Sequence, residues 1–181
     1  MASGPVNLTP LQLHCELCSI VSSSGQMLGQ GAGPSIDRSS CVWRMNNAPS
    51  RGFERDVGQR TTLRVVSHTS VPLLLQRPQQ FFAAAAANDT VYVVWGPLRN
   101  MRRDGKGVVY NMLRQAADRY PQARIYVTTE ERMNYCDMVF KKETGKDRWT
   151  SALEDAISFS IDRWSLAPEV KGMEEGCNKS Q

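Results

Sequence analysis

The sequence predicts an α/β protein with a mostly parallel sheet flanked by helices. Three observations predict it. Short strand-like runs recur near 19–22, 41–45, 61–67, 91–95 and 125–128. Stretches with helical spacing stand between several of them, and such alternation argues for parallel strands joined by crossovers. A Ser/Gly turn follows the first strand and paired asparagines follow the second, where α/β proteins present ligands.

Residues 1–13 carry Gly, Pro and Asn and read as a flexible lead-in. Ser19–Ser22 is β-prone and runs into Ser22-Ser23-Ser24-Gly25. Gly29, Gly31 and Gly33 punctuate the next loop. Their spacing is not the dinucleotide fingerprint, and they lie too far beyond the strand for it. Pro34 suits the first position of a helical turn. Cys41–Met45 reads as a second strand and 46–59 as a long polar loop. Thr61–Ser67 alternates and is rich in β-branched residues, so it is a third strand. Val71–Leu75 is an apolar turn or short helix. The alanines of 81–87 favour helix. Val91–Trp95 is the clearest buried strand, closed by Gly96-Pro97. Val108, Val109, Met112, Leu113 and Ala116 have helical spacing, which predicts a helix over 108–119. Ile125–Thr128 is a fifth strand. Glu130–Phe140 is a helix with Thr129 as its cap. From Trp149 the character changes. Leu153, Ile157, Ile161 and Trp164 make an amphipathic stripe, and 169–181 is polar enough to read as disordered.

A chain of 181 residues is expected to form one domain. Its net charge of +4 suits an anionic ligand, but the basic residues scatter, which argues against nucleic acid. The five cysteines are Cys15, Cys18, Cys41, Cys136 and Cys177, and an odd count leaves one without an internal partner. Cys15 and Cys18 have CxxC spacing. A zinc site would need a second ligand pair nearby, and none is present. A redox CxxC follows a strand and opens a helix, whereas this one precedes a strand. Structural cysteines of a secretory-pathway protein fit better. The longest apolar run, 81–87, is too short to span a bilayer, and no signal peptide opens the chain. Sequons at Asn7, Asn88 and Asn178 permit a luminal location, with Asn88 the candidate for glycosylation.

Four segments could carry chemistry. The turn at Ser23, Ser24 and Gly25 frees N–H groups and hydroxyls toward an anionic or ribose-bearing ligand. On spacing alone, an ordinary strand-ending turn is the commoner meaning. Asn46, just past a strand, offers a donor and an acceptor to a nucleotide. An Asx-turn ahead of Pro49 is the structural alternative. Arg44 beside it could instead pair with an acid inside the fold. Asp56 and Gly58 read as a tight architectural turn. Ser67 and His68 end the third strand with polar groups. His68 could be a base, though a histidine in such a place is more often structural, and His14 in the lead-in is a poor candidate. Asp-x-Asp, G-x-S-x-G and Walker patterns are all missing.

These segments together resemble the large sialylmotif of eukaryotic sialyltransferases, over about residues 18–72. The landmarks are Cys18, Ser22-Ser23-Ser24-Gly25, Ile36-Asp37, Arg44-Met45-Asn46, Ala48-Pro49, Asp56-Val57-Gly58 and Thr61–Arg64. The variant is similar to the α-2,6 N-acetylgalactosaminide sialyltransferases. SHTSVPLLL, VYNML and KKETGKDR look most like their type III branch. The resemblance runs from about Leu11 to Arg148.

It implies a Rossmann-like variant fold and a Golgi luminal enzyme of membrane-anchored kin. The family reaction would move sialic acid from CMP-sialic acid, without a metal or other cofactor. The acceptor would be the GalNAc of sialylated Galβ1,3GalNAc, on glycoproteins or gangliosides. Carried over by position, Ser23 and Asn46 contact the CMP part of the donor, Ser24 and Gly25 shape the turn, and Ser67 is a weaker donor contact. Cys18 would bond a cysteine of the small sialylmotif. That motif, the third motif and the terminal motif with its catalytic histidine have no counterpart here. Residues 14–148 thus read as the N-terminal part of a catalytic domain, incomplete in its C-terminal half, and 149–181 as a non-family tail. No catalytic residue is assigned, and the expectation is a chain without turnover. The alternative is a non-catalytic CMP-binding fragment or a partner of the full-length enzyme.

Overall fold

A computed structural model describes residues 11–82 and 89–147. Its centre is a five-stranded sheet of β1 (Cys18–Val21), β2 (Cys41–Met45), β3 (Leu63–Ser67), β4 (Val91–Trp95) and β5 (Arg124–Val127). The strands lie side by side in chain order, and every neighbouring pair is parallel. The expected parallel α/β architecture is what forms. Helices α1 (Gly33–Asp37), α2 (Glu54–Val57), α3 (Val71–Leu75), α4 (Pro78–Phe81), α5 (Leu98–Met101), α6 (Val108–Arg119) and α7 (Glu130–Thr144), with the 3-10 turns Gly25–Met27 and His68–Ser70, complete the described elements.

Side chains alternate across a strand, so register decides which residues share a face. Arg44, Arg64, Tyr92 and Ile125 are register partners along one row of β2 to β5. Val66, Val94 and Val127 form the next row on that face. Two apolar clusters cover it. Val21 and Val42 meet Ile36 of α1 and Val57 of α2. Val66, Tyr92 and Val94 meet Val71 and Leu74 of α3, Phe81 of α4, Met101 of α5, and Val109 and Leu113 of α6. Helices α1 to α6 thus all contribute to one face. Right-handed crossovers between strands laid down in sequence place them there. Val42, Val66, Val91 and Val94 are among the most deeply buried side chains. Each is worth about 1.5–3 kcal/mol relative to exposure.

Several boundaries differ from expectation. The polar loop 46–59 contains α2, and α5 follows Pro97 where no helix is expected. β3 begins at Leu63, although Thr62 N–H still bonds Val42 O at 2.8 Å. Helix α7 runs one turn beyond Phe140, to Gly145, whose φ of 71° ends it and whose N–H returns to Lys141 O. No α7 residue is buried. Its ends are matched to the helix dipole instead, Glu130 and Glu131 at the start and Lys141 and Lys142 at the close. Of the alanine-rich segment 81–87, Phe81 closes α4 and Phe82 caps it, while 83–87 lie outside the described residues. Asn7, Asn88, Cys177, Asn178 and the amphipathic stripe of the tail lie outside them too.

Candidate functional site

β1, β2 and β3 end side by side, and their C-terminal ends carry Ser23, Asn46 and Ser67. The five donor residues expected from sequence all stand at this edge. Ser22 Oγ accepts from Ser24 N–H at 3.1 Å, and Ser24 Oγ accepts from Gln26 N–H at 3.2 Å. Ser24 therefore caps the single turn Gly25–Met27, and both hydroxyls shape the bend. Ser23 lies exposed between them, and no side-chain hydrogen bond holds its hydroxyl among the described residues.

Asn46 adopts φ 49°, the one left-handed non-glycine residue among those described. Asparagine tolerates that conformation better than other side chains. Its N–H bonds Val65 O at 2.8 Å, and its Oδ1 accepts from Ser67 N–H at 2.9 Å. The amide nitrogen Nδ2 is left without a bond among the described residues. Ser67 Oγ lies 3.0 Å from Thr69 Oγ1.

Two buried arginines lie on the helical face of the sheet, Arg64 reaching this edge and Arg44 the segment that leads into β3. Arg64 donates from one terminal nitrogen to Asn46 O at 2.8 Å and Ala48 O at 3.2 Å. Arg44 donates from Nε to Arg60 O and Thr61 Oγ1, and from its terminal nitrogen to Val57 O and Arg60 O. The acid partner considered for Arg44 is not in contact with it. Carbonyl oxygens take that place, and burial lowers the guanidinium pKa against the opposing pull of Asp37.

Asp56 is architectural, as expected. Its Oδ1 accepts from Gly31 N–H at 2.9 Å, anchoring the glycine loop to α2. The backbone N–H groups of Gly29 and Gly31 hold its pKa below the usual carboxylate range. His68 opens the turn after β3, and its Nδ1 is buried without a partner. A side chain on Gly96 would strike the imidazole, 2.6 Å from His68 Cβ. Burial first, and the Arg99 charge second, push the His68 pKa down. Packing against Gly96 disfavours its charged form, and no carboxylate bonds it among the described residues.

Sequence reading missed the disulfide between Cys15 and Cys41, with Cα atoms 5.6 Å apart. Cys18 stands beside it, since Cys18 and Cys41 are register partners across β1 and β2. The only signal was β pairing, which brings the CxxC segment to the start of β2. Cys136 on α7 is an exposed free thiol. Among the described residues, no group of three His, Cys, Asp or Glu is placed to hold a metal. No described helix is long and apolar enough to cross a membrane.

Comparison with known proteins decides the family. Glycosyltransferase family 29 (sialyltransferase) matches residues 4–145. The chain belongs to this family. A human (Homo sapiens) alpha-N-acetylgalactosaminide alpha-2,6-sialyltransferase 3 is 68% identical over 139 residues, covering 77% of this chain and 45% of that protein. A mouse (Mus musculus) alpha-N-acetyl-neuraminyl-2,3-beta-galactosyl-1,3-N-acetyl-galactosaminide alpha-2,6-sialyltransferase is 50% identical over 162 residues, covering 89% and 43%. The chain thus spans about half the length of the curated sialyltransferases it matches. A crystal structure of a mammalian sialyltransferase with Gal-beta-1-3GalNAc-ortho-nitrophenol is 33% identical, with a TM-score of 0.34. The match covers 45% of this chain and 26% of the other. The sialyltransferase family is Golgi-resident and uses CMP-sialic acid as donor.

Proposed function

We propose that this chain supplies the donor cradle of a metal-independent sialyltransferase and holds the CMP part of CMP-sialic acid. Ser23 and Asn46 make the contacts, Ser24 and Gly25 shape the turn, and Ser67 lies at the margin. The observation that carries this reading is the state of Asn46. Its oxygen is committed to Ser67 N–H, so the carboxamide is fixed with Nδ2 as a spare donor at the strand ends. An aligned donor on a rigid strand edge suits a phosphate or ribose oxygen.

The family reaction proposed for the protein is α-2,6 transfer of sialic acid to GalNAc of sialylated Galβ1,3GalNAc. Displacement at the anomeric carbon needs a base for the acceptor hydroxyl. The described residues hold two histidines, His14 far along the lead-in and the packed His68, and neither is offered as that base. The 181 residues by themselves are therefore proposed to bind donor without turning it over. The disulfide Cys15–Cys41 supports a luminal, oxidising location in the Golgi.

Calorimetric titration with CMP tests the cradle. Saturable binding that weakens at least tenfold in Asn46→Gly is expected. Heat from wild type and variant alike would remove Asn46 from the site, and no heat from a folded sample would end the reading. Incubation with labelled CMP-sialic acid and sialylated Galβ1,3GalNAc tests turnover. Product above a no-protein control would refute the inactivity.

A further inference from the structure

We propose a second, oxyanion-binding site on the helical face of the sheet, in the seam between the two apolar clusters. A cavity of about 460 Å³ opens there, lined among others by Arg60, Thr61, Thr62, Arg64, Thr90 and Tyr92. That volume lies within the range of small-molecule sites. Thr61, Thr62 and Thr90 precede β3 and β4, so much of this lining lies at the strand ends opposite Ser23, Asn46 and Ser67.

Arg64 is the reason for an anion. The side chain is buried, with 4% exposure, yet it lines the cavity. Among the described residues it has no carboxylate partner. The ion pairs among the described residues are Arg102–Asp104 and Lys141–Asp147, both on the surface. Its hydrogen bonds among the described residues, to Asn46 O and Ala48 O, satisfy donors without cancelling the charge. The guanidinium also lies 5.1 Å from the centroid of the Phe81 ring. Burial lowers its pKa to about 10, with Arg44 adding to the fall and Tyr92 opposing it. A buried cation without an opposing charge is costly, and an anion beside it removes that cost.

The hydroxyls complete the chemistry. Thr61 Oγ1 accepts from Arg44 Nε at 3.0 Å, and Thr62 Oγ1 accepts from Val42 N–H at 3.0 Å. Each hydroxyl that accepts keeps its own proton to donate. Two oriented hydroxyl donors and the Arg64 guanidinium line the same cavity, a combination suited to a carboxylate or phosphate group. Asp89 also lines the cavity and would repel an anion close to it. The site does not depend on the donor cradle, and CMP is left out of its test.

The test is NMR on the 181-residue chain with nitrogen-15 arginine, its Arg64 Nε signal assigned through Arg64→Lys. Inorganic phosphate and acetate are titrated separately against sodium chloride at matched ionic strength. The Arg64 signal should shift saturably with phosphate, acetate or both, and not with chloride. The stronger of the two arms identifies phosphate or carboxylate as the group held. Gln80→Trp fills the cavity from α4 and should abolish the saturable shift while the Arg44 signal stays in place. An unmoved Arg64 signal, a shift equal to that from chloride, or one that persists in Gln80→Trp would overturn the site. If Gln80→Trp does not fold, Ser50→Phe closes the cavity from the opposite wall and is judged by the same outcomes.

Discussion

Asn46 Oδ1 accepts a 2.9 Å hydrogen bond from Ser67 N–H, so one carboxamide joins the ends of β2 and β3. The same residue sits at φ 49°. These two roles separate by substitution. Asn46→Gly keeps the backbone comfortable and loses only the side chain. Asn46→Ala loses the bond and strains the backbone as well. Urea unfolding should show Asn46→Ala about 2–3 kcal/mol less stable than wild type, and Asn46→Gly about 1 kcal/mol. Equal losses would mean the left-handed conformation costs alanine nothing.

Arg44 is the deepest large polar side chain, 1% exposed, and it satisfies Val57 O, Arg60 O and Thr61 Oγ1 together. Arg44→Met keeps the aliphatic volume and strands those acceptors. Each unsatisfied buried polar group costs about 1–3 kcal/mol, so a loss of about 3 kcal/mol or more is expected. Chemical denaturation measures it. A loss below about 1 kcal/mol would show that water replaces the guanidinium freely.

The pKa of His68 is lower in the folded chain than its ordinary value of 6.5, chiefly through burial. Near and below about pH 6.5 the unfolded chain takes up a proton there more readily than the folded chain. Stability therefore rises with pH through that window and falls on acidification. Glu54, Asp56 and Asp104, held low by hydrogen bonds, lose their contribution only in the carboxylate range further down. The urea midpoint should drop between about pH 7.5 and about pH 5.5, and the drop should shrink in His68→Gln. An undiminished drop in that variant would assign the proton elsewhere.

The disulfide Cys15–Cys41 closes a separation of 26 residues and ties the segment before β1 to the start of β2. A bond over such a span is worth about 2–4 kcal/mol. Thermal unfolding with and without reductant should show that loss, and Cys15→Ser should be insensitive to reductant by the same amount. Peptide mapping after digestion without reduction should recover the linked pair. A different pairing would move the tie.

Thr129 caps α7, its Oγ1 accepting from Arg132 N–H at 3.3 Å. With no buried residue on α7, the cap and the end charges carry much of its order. Thr129→Ala should cost about 1 kcal/mol, confined to that helix. Amide exchange should quicken in α7 and stay unchanged in β3 and β4.

How legible was this molecule beforehand? β2 and β4 coincide with their sequence expectations because Cys41–Met45 and Val91–Trp95 are dense β-formers bounded by turn residues. Helix α2 stayed hidden because Glu-Arg-Asp-Val is four residues with a single apolar contact, too short for periodicity to register. The edge position of Ser23, Asn46 and Ser67 followed from strand ends alone. The spare Asn46 Nδ2 did not, since it depends on Asn46 Oδ1 reaching across to another strand. Arg44 and Arg64 were opaque for a related reason. Their acceptors are backbone carbonyls, which carry no residue signature. The Cys15–Cys41 bond could not be chosen among the possible pairings without the β1–β2 register.

The consecutive order of the strands bears on how the molecule assembles. Each described strand after the first pairs with the strand just before it, so none of the five waits for a distant one. A growing chain can lay β2 on β1 as soon as residue 45 is free, and each later crossover adds to an edge already formed. Assembly can therefore advance with synthesis, from the amino end toward the carboxyl end.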